Sequence, residues 1–284
     1  MIPAAFDYYA PTSVDEALAL LGAHEDAKVL AGGQSLLPVL RLRLAAPETI
    51  VDLGRIEELR GVREDGDALV IGAMTPHSVI QSDPLVAEHA RLISLATATI
   101  ADPQVRHRGT FGGSLVHADP AGDLPAVALA LGASFVIAGA TGRRIVAAAD
   151  FFEGVFSTVV AEDELLVEVR VPKHTGWGAH YEKFTRIAQQ WSIVAVAAAV
   201  RLDDGTIAEA RVALTNMGST PVRATAVEQS LLGQPATADA VREAAARAAD
   251  GTSPPTDLNG DAEYRTHLAT VLTRRAVLAA AGTG

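Results

Sequence analysis

Two glycine-centred segments hold the residues of this chain best suited to chemistry. The first is Ala31-Gly32-Gly33-Gln34-Ser35 and the second is Thr110-Phe111-Gly112-Gly113-Ser114. Glycine permits φ > 0 and lets backbone approach a ligand where a Cβ would clash. Exposed amides, small hydroxyls and a nearby helix start are what an anionic ligand such as a pyrophosphate needs. The second segment lies within a longer stretch, residues 101–125, that continues through His117, Asp119-Pro120, Gly122 and Asp123. That stretch reads as a ligand loop, because loops so long are uncommon without a function. An ordinary turn between two helices is the alternative.

The elements around these segments are those that would aim them. Residues 28–31 predict a short strand, and Leu36, Leu37, Leu40 and Leu44 repeat at helical spacing after the first glycine turn. Pro38 falls in the first helical turn, where a missing N–H costs nothing. Strand, glycine turn and helix N-terminus again make a phosphate-sized cradle. It is neither a GxGxxG fingerprint nor a GK[ST] P-loop, and Ser35 lacks the flanks of a nucleophile elbow. An apolar helix-like run, residues 91–100, leads into the second segment and is ended by Asp102-Pro103. Residues 124–131 resume as helix.

Further out, Ser13 to Glu16 spell a capping box, and residues 49–53 and 68–72 read as strands. Thr75-Pro76 reads as a helix start, with helix again from about residue 88 to 100. Strands are expected at 134–138, 144–148 and 164–171. Residues 173–178 mark a domain boundary. Beyond it come three strand-like runs, 181–187, 193–202 and 207–217, with a hairpin turn at 203–206. Helices follow at 223–232 and 238–249, then an irregular linker at 251–260. A last helix carries Tyr264, Leu268, Val271 and Leu272 on one face.

Composition removes several function classes. The 284 residues carry a net charge of −11, which argues against nucleic-acid binding. There is no cysteine, so this chain offers no thiol catalysis and no cysteine-held iron–sulfur cluster. Its eight histidines show neither HxH nor HExxH spacing, so no metal site and no catalytic residue is assigned. The opening residues lack a basic start and an apolar core, and no apolar run is long enough to span a bilayer. A soluble cytoplasmic protein is expected.

With both glycine motifs in this order, the chain resembles the FAD-binding medium subunit of the xanthine dehydrogenase and aerobic carbon monoxide dehydrogenase family of molybdenum hydroxylases. The likeness extends to the opening MIPAAFDY, to IADPQVRHRGT, YEKF and LTNMGSTP, and to AEYRTHLATVLTRRAV near the end. It implies a mixed α/β (α+β) fold. A two-subdomain FAD-binding domain of the vanillyl-alcohol-oxidase-like (PCMH) type would span residues 1–175, with subdomains of about 1–55 and 56–175. A smaller α+β domain, a three-stranded antiparallel sheet with helices, would span 176–284.

The resemblance also assigns roles. Ala31, Gly32, Gly33, Gln34, Ser35, Thr110, Phe111, Gly112, Gly113 and Ser114 would hold FAD, although the family often has His at the position of Gln34. Asp123 would accept from a ribose hydroxyl, or else cap a helix. His117 would line the adenosine pocket, or else be a solvated loop histidine. Lys183 would face the pyrimidine end of the flavin, or else be a strand-edge lysine. Trp191 would cover the isoalloxazine, or else be core. Residues 188–191, Ala-Gln-Gln-Trp, depart from the family pattern at that place.

The implied function is an electron-transfer subunit. It would take electrons from [2Fe–2S] clusters of a small partner subunit, in a complex whose large subunit carries the molybdenum cofactor, and pass them to an external acceptor. A dimer of heterotrimers is implied. The alternatives are a self-sufficient FAD-dependent oxidoreductase of the same superfamily and a binding protein that has lost FAD. Such a subunit does not touch the substrate, so the resemblance assigns none.

Overall fold

Short apolar strands closed by glycine or proline set the scaffold on which both glycine motifs sit. The computed structural model describes residues 2–283; Met1 of the opening motif and Gly284 lie outside them. Strand β1 (Asp7–Tyr9) leads to helix α1 (Val14–Ala23), then β2 (Ala27–Leu30), α2 (Leu36–Arg41) and β3 (Thr49–Asp52). The strands form a parallel sheet in the order β1-β3-β2. The expected cap of α1 forms: the Ser13 hydroxyl accepts from the Glu16 amide at 3.2 Å. The Glu16 carboxylate reaches back one residue further than in a capping box, to the Thr12 amide at 2.8 Å. β2 stops at Leu30, so the first glycine motif leaves the end of a strand and runs into α2.

The middle of the chain runs through β4 (Val62–Asp65) and β5 (Ala68–Gly72) into six short helices. These are α3 (His77–Ser82), α4 (Pro84–His89), α5 (Arg91–Ala98), α6 (Pro103–Arg108), α7 (Phe111–His117) and α8 (Asp123–Ala130). Next come β6 (Ser134–Gly139), β7 (Gly142–Ala147), a small ribbon of β8 (Phe152–Gly154) and β9 (Ser157–Thr158), and β10 (Leu165–Pro172). An antiparallel five-stranded sheet results, ordered β4-β5-β10-β6-β7.

Three expectations change here. Residues 101–125 are mainly helix, not loop. Asp102 caps α6 by accepting from the Val105 amide at 2.9 Å, and Thr110 caps α7 by accepting from the Gly113 amide at 3.2 Å. The helix expected over residues 88–100 is broken at Ala90, whose φ of −146° ends α4 before α5 begins. Thr75 does not cap α3, because its hydroxyl is taken by both the amide and the carbonyl of Gly61.

The last part of the chain is β11 (Gly178–Phe184), β12 (Val194–Asp203), β13 (Thr206–Thr215) and β14 (Val222–Arg223), followed by α9 (Thr225–Leu231), α10 (Ala238–Ala245) and α11 (Ala262–Ala280). The three expected strands gain a two-residue fourth in an antiparallel sheet. The expected hairpin turns through Asp204 and Gly205, with φ of 46° and 78°.

Strand β12 explains the alanine-rich composition. Side chains alternate across a strand. Ala195, Ala197 and Ala199 join the core around α5 and α8, and Val194, Val196 and Val200 join the core around α11. Small residues let helices approach one face closely while branched ones fill the other. The buried face of α11 lies one residue on from the expected one. Arg265, Leu268, Ala269, Leu272 and Thr273 are buried, whereas Tyr264 is exposed.

Candidate functional site

The first glycine motif packs against the backbone of Arg108 and Gly109 that leads into the second, nearly eighty residues on. A Cβ at Gly32 would fall 2.2 Å from the carbonyl oxygen of Arg108 and 2.7 Å from the Gly109 Cα. One at Gly113 would fall 2.6 Å from the Thr110 hydroxyl and 3.1 Å from the Ala31 methyl, and one at Gly112 would strike Ala73. Gly33 has φ +76°, which L side chains rarely adopt. Gly32, Gly112 and Gly113 are therefore required by close packing, and Gly33 by its backbone conformation.

Beside this contact lies a cavity of about 520 Å³, within the usual range for a ligand site. It is lined by Ala31, Gly32, Gly33, Gln34, Ser35, Thr110, Gly112, Gly113, Ser114, His117, Asp123 and Trp191. Of the residues singled out in the sequence, only Phe111 and Lys183 do not line it; Phe111 is buried in the core. Apolar walls come from Ile100 of the IADPQVRHRGT motif and from residues not marked as site candidates in the sequence, among them Val116, Leu165 and Leu166.

The donor set differs between the motifs. In the second, the amides of Phe111, Gly112, Gly113 and Ser114 already donate to Thr75, Ala73 and Thr110. In the first, the amides of Gly32, Gly33, Gln34 and Ser35 have no acceptor among the described residues. Four successive unpaired N–H groups at a strand-to-helix turn suit a pyrophosphate. The Gln34 side chain folds back onto the Gly32 carbonyl at 3.2 Å. FAD, which needs an anion cradle beside an apolar slot, therefore fits the residues present.

Asp123 and Lys183 meet each other. The Lys183 ammonium donates to Asp123 Oδ2 at 2.8 Å and to the Thr99 carbonyl at 3.2 Å, with both side chains almost fully buried. The other carboxylate oxygen of Asp123 accepts from the Tyr181 hydroxyl at 2.7 Å and the Ser192 hydroxyl at 2.9 Å. Burial, then the neighbouring carboxylate, push the Tyr181 phenol far above its ordinary range, so it stays a donor. Asp123 is the first residue of α8, and its side chain makes no cap. The network ties α8 to β11 and to the start of β12.

His117 is half-buried and stacks on Phe156, with ring centroids 5.0 Å apart; burial draws its imidazole below the ordinary value. Trp191 is 54% exposed, so it is a rim residue and not core. Its segment is held from below. Asn216 donates to the carbonyls of Ser192 and Ile193 at 2.9 and 3.2 Å, and the fully buried Arg265 donates to the Ile193 carbonyl and to Asp257. These two residues lie in the LTNMGSTP and AEYRTHLATVLTRRAV motifs. His77, unmarked in the sequence, is a further buried wall residue.

No group of three or more His, Cys, Asp or Glu among the described residues is arranged to hold a metal ion. No described helix is long and apolar enough to cross a membrane.

Comparison with known proteins bears on this geometry. The family model described as FAD binding domain in molybdopterin dehydrogenase matches residues 4–174, and that described as CO dehydrogenase flavoprotein C-terminal domain matches residues 179–280. The carbon monoxide dehydrogenase medium chain of Hydrogenophaga pseudoflava is 46% identical over 99% of this chain and 98% of its own length. That of Afipia carboxidovorans is 43% identical over 98% and 97%. A solved structure of carbon monoxide dehydrogenase from Hydrogenophaga pseudoflava, lacking the Mo-pyranopterin moiety of its cofactor, superposes with a TM-score of 0.96 at 47% identity, covering 100% of this chain and 99% of that one.

Proposed function

The chain belongs to the FAD-binding medium subunits of the molybdenum hydroxylases, and from that premise we propose that it is the electron relay of such a complex. It is an oxidoreductase subunit, and FAD is its cofactor. In the reading proposed, electrons come from [2Fe–2S] clusters of a small partner subunit, after oxidation of a substrate on a large molybdenum subunit. They leave to an external acceptor. A dimer of heterotrimers in the cytoplasm belongs to the same reading, as does division of the chain into an FAD-binding part, 1–175, and a smaller part, 176–284.

The observation that carries the assignment is the row of four unpaired amides at Gly32 to Ser35 beside the apolar cavity. FAD, when bound, supplies a ring able to take electrons singly and give them up singly or in pairs. The chain's part is binding and orientation. The free amides of the first turn would hold the pyrophosphate, while Thr110 caps the second motif at the Gly113 amide and Gly113 packs beside Ala31. Ile100, Val116, Leu165 and Leu166 exclude water from the slot. Trp191 would contribute the exposed lip of the flavin slot, its segment held by Asn216 and Arg265 through the backbone that follows it. Lys183 does not line the cavity and is paired with Asp123, so its charge towards a bound ring would be largely neutralised.

Purification from the native host tests the reading. One FAD per chain, with molybdenum and iron in two co-purifying polypeptides, is the expected result. A chain without flavin, or one with flavin that never associates with molybdenum or iron, contradicts it.

A further inference from the structure

We propose that His77 is a cofactor-contacting residue whose Nε2–H donates a hydrogen bond to an oxygen of the phosphate-bearing part of FAD. The inference rests on the FAD reading of the cavity.

His77 opens α3 and is 3% exposed, yet it lines the cavity. Its Nδ1 is sealed from solvent and has no hydrogen-bond partner. A buried polar atom without a partner costs free energy, and an orphaned N–H is the rarer and less tolerated form. The lower-cost tautomer therefore leaves Nδ1 as a bare lone pair and carries the proton on Nε2. The Cδ2–Nε2 edge of the ring faces Gly109: a Cβ there would fall 2.8 Å from Cδ2 and 3.1 Å from Nε2. Gly109 is itself a wall residue and is packed on Gly32. The imidazole edge thus packs against Gly109, the wall residue that separates it from Gly32 of the first turn.

The backbone fixes this placement. The His77 amide donates to the Gly109 carbonyl at 2.9 Å, and Pro76 bridges to Thr110. The ring is held uncharged by burial and by the nearby Arg106 cation, whose own guanidinium is engaged with the Ile100 carbonyl at 2.7 Å. A neutral donor suits a phosphate oxygen already served by backbone amides, since it adds a hydrogen bond without another buried charge.

The test strips and re-titrates FAD in full-length protein purified with its partner subunits, comparing wild type with His77→Leu, His77→Gln and His77→Asn. Glutamine places its amide nitrogen near the position of Nε2, and asparagine near that of Nδ1. Leucine and asparagine are expected to weaken FAD binding about ten-fold, the usual worth of one such hydrogen bond, and glutamine to restore most of it. Equal binding by wild type and the leucine variant overturns the inference, as does a folded glutamine variant as weak as leucine. Wild type that takes up no FAD sinks the FAD reading instead. Should the variants fail to fold, a cryo-EM structure of the FAD-loaded complex decides. An FAD phosphate or ribityl oxygen about 3 Å from Nε2 supports the contact, and none within hydrogen-bond reach refutes it.

Discussion

At the scale of single residues, the glycine motifs combine two demands that substitution can separate. A cradle built of amides depends on backbone conformation and not on side-chain identity. Gln34→Ala removes only a side chain folded onto its own loop, so FAD retention should stay within about three-fold of wild type. Gly33→Val forces a branched residue to φ +76° and should abolish retention, with a lower melting temperature as well. Equal flavin content in both variants would remove the first turn from the site. Trp191→Ala truncates an exposed side chain, so stability should change by no more than about 0.5 kcal/mol, while flavin fluorescence and the rate of re-oxidation change. Unaltered fluorescence and re-oxidation exclude contact with the ring. His77 adds a pH dependence. Its imidazole is drawn down to about 4, below an unfolded value near 6.5, so the unfolded chain binds more protons across that window. Stability should therefore fall as pH drops from about 6.5 to about 4, by on the order of 3 kcal/mol from this group. Removing the imidazole in His77→Leu should flatten that part of a urea-denaturation profile against pH.

At the scale of elements, the Asp123–Lys183 pair is the tie between α8 and β11, and breaking half of it leaves a buried charge. Asp123→Asn or Lys183→Met alone should cost roughly 3–5 kcal/mol. The double variant should recover a large part, because neither charge then remains unpaired; a denaturant double-mutant cycle measures this. Purely additive losses would make the pair incidental. The same pair marks how far sequence reasoning reaches. The strands, the hairpin at Asp204-Gly205, the cap at Ser13 and the two motifs follow from periodicity and turn chemistry, which are local. The meeting of Asp123 with Lys183, sixty residues apart, is tertiary and leaves no local trace. Helix α7 was hidden because its glycines read as loop, and α6 because Asp102-Pro103 at its start and Gly109 after it read as breakers. Gly112 and Gly113 are helical here; position 112 is glycine because Ala73 leaves no room for a Cβ, and Thr110 supplies the cap that starts the helix. Arg265 was hidden for the opposite reason: a charged residue in a helix reads as solvated, and only its contacts with Ile193 and Asp257 explain its burial.

At the scale of the whole molecule, the proposed relay is one half of a redox path. It contains no cysteine, so any iron–sulfur relay must come from another polypeptide. The cavity beside the glycine motifs is the site proposed for the cofactor, and two exposed aromatics, Phe156 and Trp191, stand among its lining residues. The isolated chain, loaded with FAD, should accept electrons from dithionite yet remain oxidised with carbon monoxide, purines, aldehydes or N-heterocycles. Added to an iron–sulfur subunit and a molybdenum subunit, it should show substrate-dependent bleaching of the flavin under anaerobic conditions. Re-oxidation should then follow when an external acceptor is supplied. The partner-dependence of the bleaching is the informative quantity, since dithionite reduction alone reports only that flavin is present. If the isolated chain bleaches with any of these substrates, it carries its own substrate site, and the relay must give way to a self-sufficient FAD-dependent oxidoreductase.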